Sequence, residues 1–138
     1  MPRLTFEVSQ MVLFLSRADV ESLVTMREAI RAVETAFLEQ HEGKVACPKR
    51  SIINVDEHEG FAYYMPAYLS KTESLAIKIV TQFERNLKQG LPTILASILL
   101  NDPENGRPLA LMDGTYLTAT RTGAASAVAT KYLARKSS

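Results

Sequence analysis

A lysine in the middle of an apolar run is the residue of this sequence best placed to do chemistry. Lys78 stands in Leu75-Ala76-Ile77-Lys78-Ile79-Val80, between two β-branched isoleucines. The run alternates, so Lys78 shares a strand face with Ala76, Val80 and Gln82, while Leu75, Ile77, Ile79, Thr81 and Phe83 take the other. An ammonium buried without a partner is costly, so a buried lysine has an anionic partner or a depressed pKa. The alternative is that Ala76, Lys78 and Gln82 form the solvent face of an edge strand, and the pattern alone leaves both readings open. Arg121 lies in Thr118-Ala119-Thr120-Arg121-Thr122-Gly123-Ala124-Ala125, where every neighbour is small enough to let a backbone or ligand approach. Arg50 follows Cys47-Pro48-Lys49 at the mouth of a strand. Guanidinium suits the bidentate grip of a carboxylate. Each arginine reads equally as an ordinary surface residue, and nothing in the pattern shows that the three cations converge.

Other chemistries are poorly represented. The two histidines, His41 and His58, sit beside glutamates in polar stretches and read as exposed rather than metal-binding. Cys47 is the single cysteine, which excludes an intrachain disulfide. There is no G-x-G-x-x-G and no G-x-x-x-x-G-K-[ST], so no phosphate-cradling loop is visible. A net charge of +1 with no basic stripe argues against nucleic acid as a partner. No apolar run is long enough to span a bilayer, and the start MPRLTFEVSQ lacks the core and cleavage site of a signal peptide. A cytoplasmic location is the resulting expectation.

The elements that must position these cations follow from periodicity. With 138 residues, 46% of them hydrophobic, the chain suits one domain with a real core. Residues 1–10 read as a loose extension before a short strand at Val12–Leu15. Ser16 with Asp19 opens a short helix to about Leu23, and Thr25 with Glu28 forms a capping box for a longer one. There Met26, Ile30, Val33 and Phe37 make one apolar face, and Gly43 ends the helix. Ser51–Val55 and Phe61–Ala67 read as a hairpin around the polar turn Asp56–Gly60. Leu75–Phe83, Thr93–Leu100 and Pro108–Met112 are further strands, separated by the loop Glu84–Pro92 and the turn Asp102–Gly106. The Ala-rich segment Thr115–Ala134 reads as a helix, with a possible break near Gly123. Clustered strands point to an α+β fold: N-terminal helices on a mostly antiparallel sheet of about five to six strands, then an Ala-rich helix.

Several of these stretches run together in a recognisable order. Leu75-Ala76-Ile77-Lys78-Ile79-Val80, Asn86 through Gly90-Leu91-Pro92-Thr93, Asn105-Gly106-Arg107-Pro108-Leu109-Ala110-Leu111-Met112-Asp113-Gly114 and Leu117-Thr118-Ala119-Thr120-Arg121-Thr122-Gly123-Ala124-Ala125-Ser126 resemble the ornithine cyclodeaminase/mu-crystallin family, including its archaeal-type alanine dehydrogenases. The resemblance covers nearly all of residues 11–138. It implies an amino acid as substrate, whose α-carbon passes a hydride to NAD or NADP; the imine is then hydrolysed, or closes a ring with loss of ammonia. It implies that Arg50, Lys78 and Arg121 surround the substrate carboxylate, that Lys78 also activates a water in hydrolytic members, and that Thr122 lies near the cofactor at a helix start. It further implies a homodimer. In the family a Rossmann domain follows, and it is absent here, so 11–138 is expected to be an incomplete substrate-binding and dimerisation domain, without turnover or tight cofactor binding by itself. The competing expectation is a truncated, non-enzymatic dimerising or ligand-binding module, or a gene remnant. The stretch Gln82-Phe83-Glu84-Arg85-Asn86 departs from many relatives and leaves the accepted side chain open.

Overall fold

Two reciprocal caps start the fold. In the computed structural model, which describes residues 11–135, the Ser16 and Asp19 side chains each accept or donate across the first turn of α1 (Arg17–Leu23). Thr25 and Glu28 do the same for α2 (Met26–His41). Each box satisfies backbone N–H groups that the first turn of a helix leaves without partners. α2 stops where Gly43 turns to φ +70°, a conformation that suits glycine. The expected extension at 1–10 lies outside the described residues.

The strands are β1 (Leu13–Leu15), β2 (Val45–Ala46), β3 (Ser51–Val55), β4 (Gly60–Leu69), β5 (Ser74–Phe83), β6 (Ile94–Asn101) and β7 (Pro108–Asp113), and α3 (Thr115–Leu133) ends the described fold. They form one sheet of seven strands in the order β1-β7-β6-β5-β4-β2, with β3 also on β4. All pairings are antiparallel except that of β1 with β7. The α+β class and the mostly antiparallel sheet agree with the sequence reading. The additional strand is β2, whose two residues are too short to leave a periodic signal. β5 is internal, hydrogen-bonded to β4 and β6 throughout, which removes the reading of Lys78 as an edge-strand residue.

β2 and β3 lie along the same edge of β4. Between their paired ends, residues 47–50 stand opposite only 65–67 of β4, so the edge carries one extra residue. An extra residue of this kind bends a strand and re-aims the side chains after it. Pro48, which has no N–H to give a ladder, sits inside this irregular stretch.

The helices cover one face of the sheet at the β6–β7 side. Ala96 and Ala110, which point to that face, are 8% and 5% exposed. Gly114 allows the close approach: a Cβ there would lie 3.1 Å from both the backbone and the Cβ of Ala96. Gly114 has no side chain to cap α3, and Asp113 Oδ1 instead accepts the Tyr116 N–H at 2.9 Å. α3 buries Thr120, Ala124 and Val128, spaced four apart, while Ala29 of α2 and Val20 of α1 are buried on the neighbouring helices. Met26 lies against Gly123, and Glu34 accepts from Lys131 and Tyr132. α2 and α3 therefore run side by side in the same direction. α3 continues through Gly123 without a break. The cost of a helical glycine, about 1 kcal/mol, is offset by the packing of Thr120 and Ala124 on either side of it.

Candidate functional site

Strand register places Lys78 at the middle of a cross-sheet row. Its neighbours are Met65 on β4 and Ile98 on β6, and the row continues through Met112 on β7 to Leu15 on β1. Every other member is apolar. The Lys78 side chain is half-buried, and its pKa is lowered first by burial and then by the charge of Arg121. Arg121, on α3, is therefore near enough to act on Lys78 electrostatically. Among the described residues, neither has an ion-pair partner.

Arg50 reaches the same face from the other side. Its guanidinium carbon lies 5.6 Å from the centre of the Tyr63 ring, a cation–π distance. Tyr63 alternates with Met65 on β4 and so shares the Lys78 face. The extra residue at 47–50 delivers Arg50 there. β5 lies between β4 and β6, so Lys78 has Arg50 on the β4 side and the helix carrying Arg121 on the β6 side. The structure thus brings Lys78, Arg121 and Arg50 to one face of the sheet.

Thr122 adjoins Arg121 and is exposed, but it lies deep in α3 rather than at a helix start. That corrects the expected setting: a helix N-terminus presents free N–H groups to an anion, and the N–H groups around Thr122 belong to the interior of α3. The Thr122 hydroxyl donates back to the Thr118 carbonyl at 2.7 Å, and Ser126 and Thr130 repeat the pattern down one stripe. No Gly-rich turn between a strand and a helix occurs among the described residues, so these residues do not form a phosphate cradle for a nicotinamide cofactor.

Register also identifies residues that the pattern of types did not. Met65, Ile98 and Met112 surround Lys78 with apolar surface, and Tyr63 supports Arg50. Only knowledge of strand pairing could have selected them. Thr118 Oγ1 is buried without a hydrogen-bond partner, one helical turn before Arg121. Its signal was its place in the stretch of small residues around that arginine. Arg121 also lines an apolar cleft of about 320 Å³ with Leu117, Val24 and Val33, which supports its aliphatic stem. His41, His58 and Cys47 are exposed, and no cluster of metal-ligating side chains occurs among the described residues.

An anion is the ligand this arrangement suits. Three cations share a face, and one of them is disfavoured as an ammonium by its surroundings. A carboxylate would relieve the mutual repulsion and accept charge-assisted hydrogen bonds.

Known proteins resemble this chain along most of its length. The ornithine cyclodeaminase/mu-crystallin family pattern matches residues 10–138. An alanine dehydrogenase of Archaeoglobus fulgidus is 45% identical over 126 residues, which is 91% of this chain and 38% of that protein. Among solved structures, Delta(1)-pyrroline-2-carboxylate reductase of Thermococcus litoralis, in complex with NADH and L-proline, is 60% identical with a TM-score of 0.87. It is matched over 91% of this chain and 39% of its own. An archaeal alanine dehydrogenase dimer with bound NAD has 44% identity and a TM-score of 0.87, over 92% of this chain and 38% of its own. The chain thus spans about two fifths of the length of these relatives, and it belongs to the ornithine cyclodeaminase/mu-crystallin family.

Proposed function

We propose that this chain is the substrate-side part of an NAD(P)-dependent amino-acid dehydrogenase or cyclodeaminase, and that Lys78, Arg121 and Arg50 hold the substrate α-carboxylate. The observation that carries the reading is the half-buried Lys78, which feels the charge of Arg121 and has no carboxylate partner among the described residues. A bound carboxylate supplies the missing partner. It fixes the α-carbon above the row of Met65, Lys78 and Ile98, where apolar surface keeps water from the remaining positions. Lys78 has a second task in this reading. Its Nζ lies beside the bound substrate, and it is the group that hands a proton to, or takes one from, a water at the imine carbon.

A nicotinamide cofactor would accept the hydride, and the complete enzyme must hold it by residues other than the ones described here. Thr122, with Ser126 and Thr130 along the same exposed stripe of α3, forms the surface that we assign to the cofactor's approach. Support for this assignment comes from relatives solved with NADH or NAD. Residues 11–138 are, in the same reading, a substrate-binding and dimerisation domain of a cytoplasmic protein. No helix of the described residues is long and apolar enough to cross a membrane.

The opposite sheet face supports self-association. Phe14, Leu111, Leu99, Ile77 and Pro66 form an unbroken apolar row across five strands. Phe14 is 75% and Leu111 37% exposed, and none of the ten residues of the internal strand β5 is fully buried. A second copy packing face to face would bury this row, and one relative is itself described as a dimer.

The test is a titration of the purified chain with pyrrole-2-carboxylate, a compact carboxylate that lacks a titrating amine, followed by amide chemical shifts. Binding should perturb residues around Lys78, and Lys78→Ala and Arg121→Leu should each weaken it by roughly 10- to 100-fold, as expected for lost hydrogen bonds to a charged group. Near-normal affinity in either variant would refute the carboxylate role.

A further inference from the structure

Lys78 is the only lysine in any strand among the described residues, and its surroundings reverse those of lysines on the surface. Lys71 and Lys131 are exposed and paired with Glu42 and Glu34. The Glu34 hydrogen bond raises the pKa of Lys131 and holds it as an ammonium. Burial, and after it the charge of Arg121, lower that of Lys78. At any given pH, more of Lys78 than of Lys131 is therefore the neutral amine, which is the nucleophilic form.

What surrounds this amine is apolar at close range and cationic just beyond. Met65 and Ile98 oppose Lys78 on the neighbouring strands, and Tyr63 and Ala96 oppose Val80, the next residue on the same face. The Arg50 guanidinium stands over Tyr63 at 5.6 Å. On the other side, the Gly114 N–H donates to the Ala96 carbonyl at 2.8 Å, and Thr115 Oγ1 accepts the Ala96 N–H at 3.0 Å. These bonds start α3 on β6, and Arg121 follows about 9 Å along the helix from Thr115. The amine thus lies on an apolar floor with a guanidinium to either side.

We infer that Lys78 is a carbamate site, where Nζ reversibly takes up carbon dioxide and the resulting carboxylate pairs with Arg121 and Arg50. The Nζ lone pair bonds to the carbon of carbon dioxide, one C–O π pair moves onto oxygen, and the nitrogen gives a proton to water. The neutral amine and carbon dioxide thereby become R–NH–COO⁻ and H⁺, with nothing oxidised or reduced. Carbon dioxide is small and uncharged, so it reaches a half-buried amine without the desolvation that an incoming anion faces. A cluster of like charges becomes an anion between two cations, and Arg–carboxylate hydrogen bonds are the strong, charge-assisted kind. The carbamate also fills the position assigned to a substrate carboxylate, so carbon dioxide competes with the ligand. That competition rests on the reading of Lys78 and Arg121 as a carboxylate clamp; the covalent step does not.

The experiment equilibrates the purified chain, labelled with ¹⁵N at lysine Nζ, with ¹³C-bicarbonate and its carbon dioxide at constant, mildly alkaline pH and constant ionic strength. A ¹³C carbonyl signal split by one-bond coupling to ¹⁵N should appear, and it should be lost in Lys78→Arg. In Arg121→Leu it should weaken by roughly 5-fold or more. Pyrrole-2-carboxylate should bind about 3-fold more weakly than in chloride buffer free of carbon dioxide, and Lys78→Arg should remove that difference. A bound ¹³C signal without the coupling means bicarbonate held as an ion only and overturns the inference. A coupled signal that survives in Lys78→Arg belongs to another lysine and overturns it too. No coupled signal from a chain that binds pyrrole-2-carboxylate overturns the carbamate and keeps the clamp. A coupled Lys78 signal with unchanged affinity for pyrrole-2-carboxylate supports the carbamate and overturns the clamp.

Discussion

The two faces of the sheet are built from the same strands and differ in almost every physical respect. One carries Lys78 within an apolar row, with Arg50 and Arg121 at its sides and helices over its β6–β7 end. The other carries the row Phe14–Leu111–Leu99–Ile77–Pro66, and its one strand charge, Asp113, is spent on capping α3. Because strand side chains alternate, Ile77 and Lys78 are chain neighbours that belong to different tasks. An uncompensated cluster of like charges calls for a small anion; a broad apolar face whose strand carboxylate is already engaged calls for another apolar face. Charge distribution, rather than shape or position in the chain, separates ligand surface from partner surface here.

The largest effect should come from breaking the apolar face. Ile77→Glu puts a carboxylate within the row, and an uncompensated buried charge costs about 3 kcal/mol or more, on the order of 100-fold in a dimer dissociation constant. Sedimentation velocity should show a monomer that still binds pyrrole-2-carboxylate. Loss of both properties together would mean that the two faces are not separable.

A pH series sharpens the other side. Burial and Arg121 hold Lys78 below its ordinary value of 10.5 in the free protein. A bound carboxylate favours the ammonium, so binding raises that pKa. Affinity for pyrrole-2-carboxylate should be full below the lowered value and fall as pH rises through it towards the raised value of the complex. In Lys78→Arg, whose guanidinium stays charged, the fall should vanish. Stability runs the opposite way: the cost of the buried ammonium is fully present below the lowered value and is relieved as pH rises towards 10.5.

The smallest effect belongs to Arg50, which is exposed and already rests on Tyr63. Arg50→Ala should weaken carboxylate binding by only about 3-fold, the scale of an exposed charge contact. A loss as large as that of Lys78→Ala would place Arg50 at the centre of the site instead.

The fold was legible wherever local chemistry decides it. Both capping boxes, the stop at Gly43 and the alternation of β5 follow from residues within a few positions of one another. β2 was hidden because its partner Leu69 lies 24 residues away from Val45. The unbroken path of α3 through Gly123 depends on packing against α2, which no local propensity records. Of the site, the types Lys78, Arg121 and Arg50 stood out in the sequence, whereas their convergence did not. It required the register of β4, β5 and β6 and the extra residue before Arg50, both properties of strand pairing. Thr122 shows the reverse case: the family resemblance implied a helix start there, and the hydrogen bonds place it within α3.

The most direct measurement is of Lys78 itself. Lysine labelled with ¹³C at Cε should give a Lys78 resonance, identified by its loss in Lys78→Arg, that titrates below 10.5 in the free protein. Saturating pyrrole-2-carboxylate should move that titration upwards. A Lys78 resonance whose titration is unmoved by the ligand would contradict the account, since the carboxylate would then be bound elsewhere.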